Sequence, residues 1–250
     1  RAGKIGTRNI EQWSVLRSER AIDRADVVAV VIDAFDGISH QDEHLVGVAM
    51  KAKKGIILIM NKWDKVLHKP GINPRNIVDR YMQYMAKKFD FLSYAPVVFS
   101  SAIEGRRIDL ILEHAENIKK ERAKRIKTGV FNQFLSQITY EHAPTGSRKS
   151  HKPKIYYGSQ VDINPPKFVI SVNNADHFHF SYIRYIENKI REFFGFEGTP
   201  IEIELKSRKS MFKSKDKGGA YEDYFEKHKR PNEAIPERFD TDEYVEYDEE

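Results

Sequence analysis

Asn61-Lys62-Trp63-Asp64 has the residue types needed to read a guanine base. A carboxylate at the fourth position accepts hydrogen bonds from the N1 and N2 groups of guanine together, and adenine offers no such donor pair. A site whose polar groups go unpaired with the wrong base rejects that base strongly. In this reading Asn61 ties the loop and reaches the base N7, while Lys62 lays its aliphatic stem along the purine face. The tetrapeptide follows Gly55-Ile56-Ile57-Leu58-Ile59-Met60, an apolar, β-branched run too short for a helix core and therefore predicted as a buried strand. N-K-x-D also occurs as an ordinary polar turn, so a second feature has to separate the two.

That feature is Ala95-Pro96-Val97-Val98-Phe99-Ser100-Ser101-Ala102, a second apolar strand ending in Ser-Ala and followed by a helical pattern over 108–121. Small residues at Ser101 and Ala102 let a backbone N–H approach the guanine O6. Alone, Ser-Ala reads as a strand-to-helix turn with a serine cap; one strand after Asn61 to Asp64, it has the spacing that a GTP-binding fold requires. GTP or GDP is therefore the expected cofactor, held at its base by Asn61, Lys62, Asp64, Ser101 and Ala102.

The phosphate side is not matched. No G-x-x-x-x-G-K-[ST] loop occurs in the 250 residues, and no D-x-x-G stands upstream of the first strand. The chain opens on Arg1 rather than Met, so the expectation is a fragment whose catalytic and Mg²⁺-holding residues lie upstream of Arg1. Such a chain reads the base and does not grip the phosphates.

The elements that must position these residues alternate. Residues 8–24 read as an amphipathic helix, 27–32 as a buried strand, 41–53 as a helix, 74–88 as a helix before the Val97 strand, and a helix follows Ile108. Alternating strands and helices imply a parallel sheet covered on both faces, with ligands at the carboxyl ends of the strands, where Asn61 and Ser101 fall. After the basic stretch Lys119 to Lys127 the pattern changes. Thr128 is a plausible cap for a helix whose Phe131, Phe134, Leu135 and Ile138 form one apolar face. Strands near 154–162 and 168–172, a helix over 179–194 and a strand opened by Pro200 complete a small α+β module. The boundary is placed at 124, giving 1–124, 125–206 and 207–250.

Composition adds limits. No apolar run is long enough to span a bilayer, no signal-peptide pattern opens the chain, and the absence of cysteine excludes disulfides and thiolate metal sites. A cytoplasmic protein without membrane contact is expected. The net charge of +5 favours a polyanionic partner. Its carriers flank the second module: Arg148, Lys149, Lys152 and Lys154 before its first strand, and Lys206, Arg208 and Lys209 after its last. These are the candidate RNA contacts. From Ser207 the sequence runs basic and then acidic without apolar periodicity, which predicts disorder, and the segment Glu237 to Glu250 is expected to compete in cis for the basic surface.

Arg24-Ala25-Asp26-Val27-Val28, Val31-Ile32-Asp33-Ala34, Asn61 to Asp64, Lys154-Ile155-Tyr156-Tyr157, Phe180-Ser181-Tyr182-Ile183-Arg184-Tyr185-Ile186-Glu187-Asn188 and Phe194 to Ile201 together resemble the bacterial double GTPases Der, also called EngA, over roughly 1–206. The resemblance implies a P-loop-type GTPase half-domain, here the second of two from its switch II region onward. It also implies a KH-like domain, an upstream first GTPase domain, Mg²⁺ in the full-length protein and a role in assembling the large ribosomal subunit on its rRNA. Hydrolysis would belong to the full-length protein. The alternative is a non-hydrolysing RNA-binding module attached to a degenerate nucleotide fold. Two departures stand out: Arg106 and Arg107 occupy a loop where small polar residues are expected, and the tail is longer and more acidic.

Three further signals have bland readings that weigh more. Gly195-Phe196-Glu197-Gly198 has the letters of a G-x-x-G clamp but lies between helix and strand, where a C-cap and turn is expected. His177 and His179 suit capping rather than metal. Tyr156, Tyr157, Tyr182 and Tyr185 have the chemistry to stack on bases, yet aromatics at such positions are more often core.

Overall fold

The computed structural model describes residues 17–69, 75–89, 92–145, 152–208 and 245–247. Residues 17–24 are helical and lead into β1 (Val27–Asp33). Ser39 then closes a capping box with Asp42, which starts α1 (His40–Lys51). β2 (Gly55–Asn61) follows, then a short helix α2 (Trp63–Leu67), α3 (Ile77–Lys88) and β3 (Val97–Phe99). The three strands form one parallel sheet in the order β1-β2-β3.

Alternation along β2 explains why that strand is apolar throughout. Ile56, Leu58 and Met60 enter one core with Val46 and Ala49 of α1 and Ile77 and Met85 of α3. Ile57 and Ile59 point the other way, onto Ile118 of α4 (Asp109–Ala123). The expected parallel sheet with helices on both faces is present. On β1, by contrast, Val31 is 58% exposed, so part of that strand's outer face is open.

α4 runs directly into β4 (Lys124–Ile126), inside the basic stretch where no strand was expected. α5 (Thr128–Glu141) has Lys127 as its N-cap, so Thr128 is its first helical residue rather than its cap. β5 (Ile155–Asp162) pairs antiparallel with β6 (Lys167–Val172), and β6 pairs parallel with β7 (Glu202–Ser207), which follows α6 (Phe180–Phe194). Phe131, Phe134 and Ile138 of α5 and Ile186, Ile190 and Phe194 of α6 pack on Phe168, Ile170 and Val172, leaving the sheet's other face uncovered by these helices.

The two α/β units meet through the 195–198 turn. Gly195 is the C-cap residue of α6 at φ 86°, as the bland reading of G-F-E-G requires. The turn also docks: Gly198 N–H donates to Tyr94 O and Gly198 O accepts from Ile56 N, both at 2.8 Å. Buried Arg122 donates to Lys53 O at 2.9 Å and to Thr199 Oγ1 at 3.1 Å, joining the same two units.

Most of the tail lies outside the described residues, including Lys209. Val245–Tyr247 form β8, antiparallel to β4. For these three residues the structure differs from both expectations, disorder and occupation of the Lys154/Arg208 surface. β4 lies beside Gln160, whose amide donates to Lys124 O and accepts from Ile126 N, whereas Lys154 precedes the opposite end of β5. Alternation along β4 turns Arg125's backbone groups the other way, toward Glu246, its register partner.

Candidate functional site

β2 and β3 end side by side, and their loops bring together all five residues predicted to hold the base. Asn61 ends β2, and its Oδ1 accepts from Ala102 N at 3.0 Å, so it ties the two loops together. Lys62 is the N-cap of α2 with φ 60°, a left-handed conformation that reverses the chain and sends Trp63 inward. Trp63 is buried against Tyr81 and Phe99, and its N–H donates to Ser100 O at 3.0 Å. The variable third position of the tetrapeptide is therefore the anchor of the loop.

Asp64 comes next, in the first turn of α2. Its Oδ1 accepts from Ser101 Oγ at 2.6 Å, and Oδ2 has no hydrogen-bond partner among the described residues. Ser101 is fully buried and also accepts from Glu104 N at 3.3 Å. Its backbone exchanges hydrogen bonds with Arg106. The departure at Arg106 and Arg107 leaves the loop closed: Gly105 and Arg107 take positive φ of 65° and 58°, and Arg106 pairs outward with Glu104 at 3.1 Å. The result is a fixed carboxylate beside two small residues, the arrangement suited to a planar ligand edge carrying adjacent N–H donors.

Sequence reasoning missed Asp33. It ends β1 in register with Asn61, and its Oδ2 pairs with the Lys62 ammonium. Its Oδ1 accepts from Phe35 N at 3.0 Å and Asp36 N at 3.3 Å. Burial pushes the Asp33 carboxyl up, but the Lys62 bond and the two N–H donors outweigh it and hold the group below the usual carboxylate range. The same contact raises the Lys62 ammonium above its ordinary value. The sequence shows an acidic residue at the end of a predicted strand, but the register that sets it beside the motif comes from the pairing of β1 with β2.

Of the candidate RNA contacts, Arg148, Lys149 and Lys209 lie outside the described residues. The others gather at one end of the second sheet. Lys152 O accepts from Asn173 Nδ2 at 2.8 Å, Lys154 N donates to Asn173 Oδ1 at 3.0 Å, and Arg208 N donates to Val172 O at 2.8 Å. The two basic segments thus flank the end of β6, which lies between β5 and β7 in the sheet. His179 caps α6, accepting from Ser181 N, and among the described residues no group of three His, Asp or Glu is placed to hold a metal. No helix in the described residues is long and apolar enough to cross a membrane.

Residues 125–206 match a family model described as the KH-domain-like region of EngA bacterial GTPase enzymes, C-terminal. The chain is similar to proteins named GTPase Der. It is 40% identical over 208 residues to that of Chloroflexus aggregans, covering 83% of this chain and 45% of that protein. It is 40% identical over 220 residues to that of Thermomicrobium roseum, covering 88% and 47%. For Thermoanaerobacter sp. the identity is 42% over 200 residues, covering 80% and 44%. The chain therefore spans about half the length of the curated relatives it matches.

Proposed function

From the premise that this chain is a relative of the Der (EngA) GTPases, aligned over about half their length, we propose that it is the guanine-reading and RNA-contacting part of a GTP-binding ribosome-assembly factor. The observation that carries the proposal is the convergence of Asn61, Asp64, Ser101 and Ala102 at the adjoining ends of β2 and β3. Asp64 accepts the N1 and N2 donors of guanine, steadied by the Ser101 hydroxyl. Ala102, its N–H held by Asn61 Oδ1, sets a small residue beside the place of O6, and Asn61 ties the loop. Lys62, its ammonium fixed by Asp33, lays its stem over the purine.

The sequence of this chain has no phosphate loop to grip the phosphates of a nucleotide. Hydrolysis is accordingly assigned to sequence outside it. The exposed face of Val31 on β1 suits a sheet that is larger in the intact GTPase. The same lack of a phosphate loop favours a second reading, a non-hydrolysing RNA-binding module on a degenerate nucleotide fold. Both readings share the RNA face formed by Lys152, Lys154, Lys206 and Arg208, with the large ribosomal subunit and its rRNA as partner and the cytoplasm as location.

Two titrations of the purified chain test these readings. Calorimetry with GDP and ADP should show weak binding that still favours guanine, because the backbone donors, lysine and metal that normally supply most nucleotide affinity are not here. Equal affinity for the two overturns the base site. Turnover of GTP by the chain itself overturns the assignment of hydrolysis elsewhere. Titration with rRNA across a salt series should give a log–log slope of roughly −3 to −5 if about four to six cations touch phosphates. A flat response removes the RNA face from both readings.

A further inference from the structure

Tyr156 and Tyr157 are consecutive in β5, yet both are exposed, at 38% and 57%. In a regular strand, neighbours point to opposite faces, and one of the two would be buried against α5 and α6. The register explains the exception. Ile155 pairs with Val172 and Tyr157 with Ser171, so Tyr156 is an extra residue in the ladder. Such a bulge re-aims side chains: Ile155 stays packed on the core, and both rings turn outward.

What surrounds the rings is cationic. Lys154 Nζ and the Arg208 guanidinium each lie 5.5 Å from the centroid of Tyr156, approaching from before β5 and after β7. Tyr157, Ser171 and Lys206 form one row across the sheet. The nearby carboxylate, Glu204, pairs with Lys167 at 3.1 Å and Lys206 at 3.7 Å. Lys154 and Arg208 have no carboxylate partner among the described residues. By contrast, Tyr182 and Tyr185 send their hydroxyls to His142 O and Ile138 O and belong to the core.

We propose that this sheet end binds single-stranded RNA, with Tyr157 stacking on one base and Tyr156 holding Lys154 and Arg208 in place for the flanking phosphates. The proposal rests on the RNA reading above and adds the strandedness of the ligand and the residue that meets its base. An aromatic ring beside cations that follow the backbone suits any unpaired base, because every base has a π-face. A duplex has no free base to offer.

The test uses the full chain and two fluorescein-labelled ten-mers, oligouridine and an abasic strand with the same phosphates, read by anisotropy over a salt series. Tyr157→Ala should weaken oligouridine roughly tenfold, the scale of losing one base stack, with the salt slope unchanged and the abasic strand unaffected. Tyr157→Phe should bind as the parent does. Lys154→Gln and Arg208→Gln should each flatten the slope by about 0.7 on both strands, the single-strand value for one phosphate contact. Tyr156→Ala should flatten it as well. Unchanged oligouridine affinity in Tyr157→Ala, or an equal loss on the abasic strand, overturns the stacking site while salt-dependent binding leaves the RNA reading standing. Binding to neither strand overturns both.

Discussion

Ser101 Oγ donates to Asp64 Oδ1 at 2.6 Å across 37 residues of sequence, so the loop after β3 holds the acidic residue of the loop after β2. One carboxylate oxygen is occupied by the protein. The other has no hydrogen-bond partner among the described residues, and the bond from Ser101 fixes how the carboxylate is turned.

Asp64→Asn in the intact GTPase is expected to lower GTP affinity by about 2–4 kcal/mol, the scale for a charged acceptor lost from a site that hydrogen-bonds its ligand. The amide should at the same time favour xanthosine nucleotides, whose C2 oxygen replaces the amino donor. Competition between GTP and XTP checks both parts, and unchanged GTP preference would remove Asp64 from the base site.

Tyr94 stacks against Arg191 at 4.1 Å, and its hydroxyl is buried with no hydrogen-bond partner. Burial pushes the phenol up to about 12. Because the folded value lies above the unfolded one, the contribution to stability is complete below pH 10 and is lost as pH rises toward 12, on the order of 2 kcal/mol. Tyr94→Phe should be as stable as the parent near pH 7, or more so by up to about 1 kcal/mol, since no hydrogen bond is given up. It should also lose less stability between pH 10 and 12. Urea unfolding of both proteins across that range is the measurement.

Gly198 has φ 68°, and a Cβ there would meet Ile118 at 2.3 Å inside the core. Gly198→Ala should destabilise by about 2–4 kcal/mol, combining overpacking with a left-handed backbone. The strain falls on the bonds from Gly198 to Ile56 and Tyr94, so the β1-β2-β3 and β5-β6-β7 units should lose cooperativity. Two resolved transitions in denaturant, where the parent shows one, would report that loss; a single transition at the parental midpoint would contradict it.

Glu246 lies opposite Arg125 in the β4–β8 pair. Replacing it with proline removes a ladder donor, so Glu246→Pro should speed amide exchange at Arg125 several-fold. Ile126, whose N–H is held at 2.7 Å by Gln160, should be less affected. Hydrogen–deuterium exchange by NMR separates the two amides.

Much of this protein was legible in one dimension. The apolar run at Gly55 to Met60 could be satisfied only by a strand covered on both faces, and the Asn61 to Asp64 spacing fixed which side chains would stand at its end. The helix faces at 131–138 and 180–194 followed from a period of 3.6, because local backbone geometry alone determines that pattern. The residues that reasoning missed act across the chain. Asp33 reaches Lys62 through strand register, Gly198 fits against Ile118 only once the two units have docked, and β4 exists because Gln160 and β8 supply partners for an isolated three-residue segment. Tyr156 and Tyr157 make the same point at one residue's resolution. The alternation rule places one of them in the core, and the bulge, set by how β5 pairs with β6, sends both outward. Local periodicity is written in the sequence; register, docking and the aim of a side chain arise only when distant segments share one set of hydrogen bonds.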